Sequence, residues 1–182
     1  MKTIASDILK ARVLIVDDQP VNVELLEQLL GQAGYSSIAS TTQPTEVCGL
    51  HQANPFDLIL LDLKMPGMDG FQVMEALKAN IKPAAAADDH YQAPLGSYLP
   101  VIVLTAEPGY KLRALNAGAR DFISKPFDVV EVKTRIHHML EVRLLYKKLA
   151  EQNHLLQEAL KERTARLLLS EDYSTDERAK NG

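Results

Sequence analysis

Short, nearly continuous apolar runs alternate with helical segments along this chain, and this alternation constrains its fold more than any other sequence feature. The clearest runs are 12–16 (RVLIV), 57–61 (DLILL) and 101–104 (VIVL). Branched apolar residues without polar alternation are typical of strands that are covered on both faces. Residues 37–40 and 120–124 predict two weaker strands. Strands separated by helices indicate a parallel sheet with helices on both faces, which is the doubly wound α/β class.

The segments between these runs have the spacing and end signals of amphipathic helices. The first predicted helix begins at Pro20, and Gly31 and Gly34 mark its end. Its buried side is predicted to contain five apolar residues, Val21, Leu25, Leu26, Leu29 and Leu30. Further helices are predicted at 45–53, 71–80 and 109–117. The complete pattern predicts a flavodoxin-like five-stranded sheet of order 2-1-3-4-5, followed by an extended C-terminal helix.

Polar side chains follow four of the predicted strands at their carboxyl ends. Asp17 and Asp18 follow the first strand, Asp62 the third, Thr105 the fourth and Lys125 the fifth. In a doubly wound sheet these ends lie along one edge, where ligands bind, so we expect the five side chains to converge. Three carboxylates repel one another unless a cation is present, and hard oxygen ligands of this kind suit Mg²⁺. An ammonium and a hydroxyl group can offset charge on phosphoryl oxygens, so the pattern predicts phosphoryl transfer to a carboxylate.

Over residues 12 to about 140 the chain resembles the receiver domains of two-component response regulators. The stretches VLIVDDQPVN, DLILLDLKMPGMDG, VIVLTA and AGARDFISKPF carry the resemblance, and they occur in this order. The resemblance implies a protein that accepts a phosphoryl group from a histidine kinase or phosphotransfer protein. It further implies a change of conformation or dimerisation that controls an output, and a domain that is not itself an enzyme.

The resemblance also implies roles for individual residues. Asp62 would be the phosphoacceptor. The Mg²⁺ ligands would be Asp17, Asp18, Asp62 and the backbone carbonyl of Lys64. Thr105 and Lys125 would contact the phosphoryl group. Phe122 occupies the aromatic switch position of the family, and Pro126 resembles its cis-proline, which would direct Lys125 into the pocket.

Two other classes of function remain as alternatives. A hydrolase with an aspartyl intermediate would need an acidic partner for Asp62, but the residue two positions later is Lys64. A receiver-like module that serves only for dimerisation would not need a complete acidic site. Both alternatives are therefore weaker interpretations than a phosphorylated signalling switch.

The domain boundaries predicted from the sequence leave two segments outside the minimal fold. The receiver domain is assigned to 10–140, with an insertion at about 81–99 that contains prolines and four consecutive alanines. This insertion is either a tolerated surface loop or a partner-binding element. Residues 141–170 form a predicted helical extension, and the charged tail 171–182 is predicted to be disordered.

The helical extension fits a heptad repeat typical of a parallel two-stranded coiled coil. The a positions are Met139, Tyr146, Asn153, Leu160 and Leu167, and the d positions are Val142, Leu149, Leu156 and Arg163. We therefore expect a homodimer formed through this helix, although a helix that packs on another domain is the alternative. The ending LLYKKLAEQNHLLQEALKERTARL resembles linker helices that precede cyclic-di-GMP enzymes, especially phosphodiesterases of the HD-GYP type. The chain is then expected to be the N-terminal part of a longer regulator, and a stand-alone regulator is the other possibility.

Charge and composition exclude several partners and compartments. A formal charge of -4 and a pI near 5.7 give no reason to expect direct nucleic-acid binding. The single cysteine, Cys48, cannot form an intramolecular disulfide. There is no signal peptide pattern, and no apolar run approaches the roughly 18 residues that span a bilayer. The sequence predicts a cytoplasmic protein that does not contact a membrane.

Overall fold

The computed structural model describes residues 4–80 and 98–180, and its side chains at 6–80, 98–164 and 166. Five parallel strands form one sheet. They are β1 (Arg12–Val16), β2 (Ser37–Thr41), β3 (Leu58–Asp62), β4 (Val101–Thr105) and β5 (Asp121–Ser124). Their order is β2-β1-β3-β4-β5, which confirms the predicted fold class and strand order. The predicted insertion at 81–99 lies, except for its last two residues, outside the described residues.

Helices connect the strands as the sequence predicts, with one addition at the N-terminus. They are α1 (Ile4–Ile8), α2 (Pro20–Gln32), α3 (Val47–Ala53), α4 (Gly70–Asn80), α5 (Tyr110–Asn116) and α6 (Val129–Lys180), and a 3-10 turn covers Pro44–Glu46. The sequence does not predict α1, because five residues are too few to show a helical period. Ile8 is nevertheless buried in the core beside Ile136 and Leu140 of α6.

The apolar residues of the sheet alternate between two layers of the core. One face packs against α2 and α6 and contributes Val13, Ile15, Leu58, Leu60, Ile102, Leu104 and Ile123. The opposite face packs against α3, α4 and α5 and contributes Leu14, Val16, Ile59, Leu61, Val101 and Val103. Burial on both faces explains why the central strands are nearly all apolar in sequence.

The buried side of α2 differs from the predicted one. Val21 and Leu25 are 76% and 42% exposed, whereas Val23 is buried together with Leu26, Leu29 and Leu30. Val23, Leu26 and Leu30 follow the helical spacing of three and four residues, and they define the side that faces the sheet. Val21 and Leu25 lie off this side, so their apolar character misled the prediction.

α6 is one continuous helix of 52 residues. Only its first part packs on the domain, through Val132, Ile136 and Leu140. The helical backbone continues to Lys180, whereas the sequence predicted a disordered tail from residue 171. Between residues 128 and 181 there is no glycine or proline, so no residue in the charged tail ends the helix. Within the described residues, no helix has the length and apolar character needed to cross a lipid bilayer.

Candidate functional site

Three aspartates meet at the carboxyl edge of the sheet. Asp17 and Asp18 follow β1, and Asp62 is the last residue of β3, which pairs directly with β1. One carboxylate oxygen of each residue lies within 4.8 Å of the others. Asp17 is fully buried and Asp62 is 4% exposed, so the carboxylates face each other in a space with little solvent. The parallel register of neighbouring strands is what brings residues 45 positions apart together.

Lys125 connects two of these aspartates. Its ammonium nitrogen lies 2.7 Å from Asp17 Oδ2 and 3.0 Å from Asp62 Oδ1. Lys125 follows β5, and its backbone N–H donates to the Thr105 carbonyl at 2.9 Å. The Lys125–Pro126 peptide bond is cis, as the resemblance implies. We refer to Asp17, Asp18, Asp62 and Lys125 together as the acidic site.

Asn22 contacts this site, although it was not among the site residues predicted from the sequence. Its side-chain amide donates to both carboxylate oxygens of Asp17, at 3.0 and 3.1 Å. The backbone N–H of Gln19 donates to Asp17 Oδ1 at 3.0 Å. Asn22 lies in the first turn of α2, four residues after Asp18, and a polar residue there could have been recognised from its position. These bonds fix the Asp17 carboxylate in orientation.

Among the described residues, the negative charges of the acidic site are not balanced by positive groups. Three carboxylates face one ammonium group, which leaves a net charge of about -2 at neutral pH. Asp18 Oδ1 is buried, and none of the described residues provides it with a hydrogen-bond partner. A buried carboxylate oxygen without a partner is costly unless a cation compensates it. The donor set therefore fits a hard divalent cation that is bound through oxygen atoms.

Burial raises the pKa of the Asp62 carboxyl group above its usual value. The hydrogen bond and the positive charge of Lys125 oppose this rise, and the charges of Asp17 and Asp18 add to it. The carboxylate form that a nucleophile requires is thus destabilised by the protein alone. A bound cation would restore it, because an opposite charge nearby favours the ionised form.

Thr105 lies at the neighbouring strand end but is bonded within its own loop. Its hydroxyl oxygen accepts from the Glu107 backbone N–H at 3.1 Å and lies 3.4 Å from the Glu107 carbonyl oxygen. The residue is buried, and β4 is paired with β3. Lys64, in the loop after β3, forms an exposed ion pair with Glu107. This ion pair joins the two loops that flank the acidic site, and Glu107 was not identified from the sequence.

Two further features determine the surroundings of the site. Phe122 lies on β5, half-buried, with Lys111 Nζ 4.5 Å and Arg135 Cζ 5.4 Å from its ring centre. Its ring therefore lies between α5 and α6 rather than with the aspartates. Gly70 begins α4 at a point where a Cβ would meet the Asp62 carbonyl oxygen and the Leu63 backbone. The start of α4 can approach the end of β3 only because this residue is glycine.

Comparison with known sequences identifies the region that contains this site. The family model described as "Response regulator receiver domain" matches residues 13–137. The chain is similar to "Response regulator PleD" of Caulobacter vibrioides, with 35% identity over 146 residues, or 79% of this chain and 29% of that protein. It is also similar to "Probable cyclic di-GMP phosphodiesterase" of Vibrio cholerae, with 29% identity over 163 residues, or 88% of this chain and 34% of that protein. The chain thus spans about a third of the length of these two relatives.

A solved structure supports the same relationship. The chemotaxis protein CheY4 of Vibrio cholerae is similar, with a TM-score of 0.58 and 25% identity. The match covers 71% of this chain and 98% of that chain. The match includes nearly all of that chain. The family model ends at residue 137, so most of α6 lies beyond it.

Proposed function

This chain belongs to the response regulator receiver domain family of two-component signalling, and from that membership we propose that its acidic site accepts a phosphoryl group on Asp62. One observation supports the proposal above all others. Carboxylate oxygens of three aspartates lie within 4.8 Å of one another, the ammonium group of Lys125 contacts two of these aspartates, and the set retains excess negative charge. A purely structural site would balance its charges, whereas phosphoryl transfer needs room for a cation and a phosphoryl group.

Mg²⁺ is the cation that we assign to this site. Asp17, Asp18 and Asp62 would hold it through carboxylate oxygens, together with the backbone carbonyl of Lys64. When bound, Mg²⁺ supplies positive charge that favours the carboxylate form of Asp62 and offsets charge on phosphoryl oxygens. The unpartnered oxygen of Asp18 supports this assignment, because its burial is otherwise uncompensated.

The proposed donor is a phosphohistidine of a histidine kinase or phosphotransfer protein. An Asp62 carboxylate oxygen attacks phosphorus in line, so that an O–P bond forms and the histidine N–P bond breaks. The imidazole nitrogen keeps the electron pair of the broken bond. Lys125, which lies 3.0 Å from Asp62 Oδ1, is close enough to contact a phosphoryl oxygen after a small movement.

Thr105 and Phe122 would transmit the phosphorylated state to the surface. A phosphoryl oxygen offers the Thr105 hydroxyl a charged acceptor, which is stronger than its present contact with the Glu107 carbonyl. The loop after β4 would then shift, and the half-buried Phe122 would turn inward. This change would bias the surface formed by α5, β5 and α6 between two states.

The exposed part of α6 supports a homodimer as the form that responds. Several apolar residues at the predicted a and d positions are exposed, namely Val142, Tyr146, Leu149, Leu156 and Leu160. A parallel coiled coil would bury them, and Asn153 at an a position would fix its register. We propose that phosphorylation alters the pairing of two copies and that α6 passes this change to an output.

The output that we propose is a cyclic-di-GMP enzyme activity. The support comes from the relative named as a cyclic di-GMP phosphodiesterase, which aligns with 88% of this chain and extends well beyond the match. In this proposal the receiver regulates such an activity and is not an enzyme by itself. It would act in the cytoplasm, where a kinase partner can reach it, without direct contact to nucleic acid or membrane.

Incubation with acetyl phosphate and Mg²⁺, followed by intact mass measurement, tests the assignment of Asp62. The wild-type chain should gain one phosphoryl group, and Asp62→Asn should gain none. Asp69→Asn is the matched control, because Asp69 lies in the same loop and caps α4, a role that asparagine can also fill. Phosphorylation of Asp62→Asn would contradict the proposal. Sustained turnover of phosphate monoesters would instead favour the hydrolase interpretation.

A further inference from the structure

We propose that Asp57, Arg143 and Lys147 fix the direction in which α6 leaves the domain. These three residues, called the Asp57 cluster below, lie at the amino edge of the sheet, opposite the acidic site. The phosphoryl chemistry does not use this charged contact, so the role of these residues is independent of Asp62. Asp57 is thereby assigned a positioning role, beyond general stabilisation of the fold.

Asp57 directly precedes β3, and both oxygens of its carboxylate have partners. It is 4% exposed, and its Oδ2 accepts from the Arg12 backbone N–H at 3.0 Å. Its Oδ1 accepts from Lys147 Nζ at 2.8 Å and lies 3.7 Å from Arg143 Nε. Oδ2 thus bonds to the sheet, and Oδ1 contacts side chains of α6. A carboxylate bonded in this way joins two elements in one orientation.

Arg143 makes the contact dependent on Asp57. Its side chain is buried, and Nη1 donates to the backbone carbonyl of Tyr98, three residues before β4 begins. Burial lowers the pKa of this guanidinium, and the charge of Asp57 opposes that effect. A buried cation is costly without a counter-charge, and the Asp57 carboxylate supplies negative charge beside Arg143. Buried ion pairs contribute little net stability, and their best-attested use is to specify one geometry.

The position of the cluster along α6 suits such a role. Val132, Ile136 and Leu140 pack on the sheet, and Arg143 and Lys147 continue the same side of the helix for two more turns. Val129 and Arg143 are separated by 14 residues, or about 21 Å of helix, which is enough to cross the sheet from one edge to the other. Apolar packing alone is non-directional, whereas these charged contacts have fixed geometry.

Tyr98 makes further contacts with the part of α6 that carries Arg143 and Lys147. The ring of Tyr98 lies 4.8 Å from that of Tyr146, and its hydroxyl group lies 3.7 Å from Met139 Sδ. Arg120 covers the ring of Tyr98, with Cζ 4.7 Å from its centre. Two turns or more beyond Lys147, Leu155, Leu156 and Leu160 are exposed. The helix is therefore held by the domain up to about Lys147 and projects beyond it.

Distance measurements between two spin labels test this role directly. In full-length chains with Cys48→Ala, labels are placed at Gln28→Cys on α2 and Gln157→Cys on α6, both at exposed positions. Labelled chains are diluted with unlabelled chains, so that only distances within one chain are measured by double electron–electron resonance. Labelled chains in which the Asp57 cluster is unaltered should give a narrow distribution of label-to-label distances with one maximum.

Two variants and one control complete the experiment. Asp57→Asn and Lys147→Met should each shift and broaden the distribution. Asp121→Asn should leave it unchanged, because Asp121 also pairs with an arginine of α6, Arg135, but on the part that packs against the sheet. Lys147 is half exposed, so Lys147→Met tests the proposal even if Asp57→Asn does not fold. Narrow, unshifted distributions in the folded variants, equal broadening in the control, or a broad distribution with the cluster intact would overturn the proposal.

Discussion

The two edges of the sheet place buried carboxylates in opposite situations. Asp57 precedes β3 and Asp62 ends it, so about 16 Å of one strand separates them. Both residues are 4% exposed, and both contact a lysine. At the amino edge one carboxylate faces two cations, Arg143 and Lys147. At the carboxyl edge three carboxylates face one ammonium group among the described residues, that of Lys125.

This difference separates a structural site from a reactive one. The oxygens of Asp57 have donors from the backbone and from α6, whereas Asp18 Oδ1 has none among the described residues. Burial of a carboxylate is therefore not by itself a sign of function. The balance of charge around it distinguishes the two edges, because an unbalanced site can still bind a cation and a phosphoryl group.

Removal of the charge at the amino edge should have the largest effect on stability. Asp57→Asn removes the carboxylate charge that faces the buried Arg143, and we expect the free energy of unfolding to fall by about 3 kcal/mol. Urea denaturation followed by circular dichroism measures this change. An unchanged midpoint would mean that water or another group replaces the carboxylate, and the contrast between the edges would be lost.

Mg²⁺ should stabilise the domain only through the carboxyl edge. At about ten times its dissociation constant, Mg²⁺ should raise the free energy of unfolding by about 1.4 kcal/mol. Asp18→Asn should abolish this gain, and Asp121→Asn, which alters a carboxylate away from the site, should retain it. Thermal denaturation in MgCl₂ and in EDTA provides the comparison. Equal stabilisation of Asp18→Asn by Mg²⁺ would show that the ion binds elsewhere.

Removal of the charge at Asp62 should have the smallest effect, with the opposite sign to Asp57→Asn. Because burial raises the pKa of Asp62 in the folded state, its charge destabilises the fold at neutral pH without a cation. Asp62→Asn in EDTA should therefore be more stable than the wild type, by about 1 kcal/mol or less.

The pH dependence of this difference provides a control. The destabilisation develops as pH rises above 3.8, the ordinary value for this carboxyl group, and is complete above the raised pKa of the folded state. Below that window both states are protonated, and the two proteins should converge in stability. If the wild type and Asp62→Asn differed in stability by the same amount at every pH, the difference would instead come from packing at residue 62.

The fold and most of the acidic site could be predicted because both follow from local patterns. The apolar runs of β1, β3 and β4 and the polar residues directly after them are visible in the sequence. The doubly wound topology then places those strand ends along one edge. From this placement Asp17, Asp18, Asp62 and Lys125 were predicted, and the structure brings them together, with the carboxylate oxygens within 4.8 Å of one another and Lys125 in contact with Asp17 and Asp62.

Other features depend on contacts that no local pattern contains. Arg143 lies 86 residues from Asp57, and its burial results from the path of α6 across the sheet. Val21 and Leu25 are as apolar as the buried residues of α2, and only packing against the sheet decides which side is covered. The bond of Thr105 to Glu107 is a property of the loop conformation and not of the strand end.

Nuclear magnetic resonance with Mn²⁺ as a paramagnetic substitute for Mg²⁺ tests the contrast between the two edges most directly. Trace Mn²⁺ should broaden the amide signals of residues 17–18 and 62–64 selectively, and an excess of Mg²⁺ should restore them. The signals of residues 12 and 57–58, at the opposite edge, should stay sharp. Broadening that is uniform, or strongest near Asp57, would contradict the conclusion that the carboxyl edge alone is open to a divalent cation.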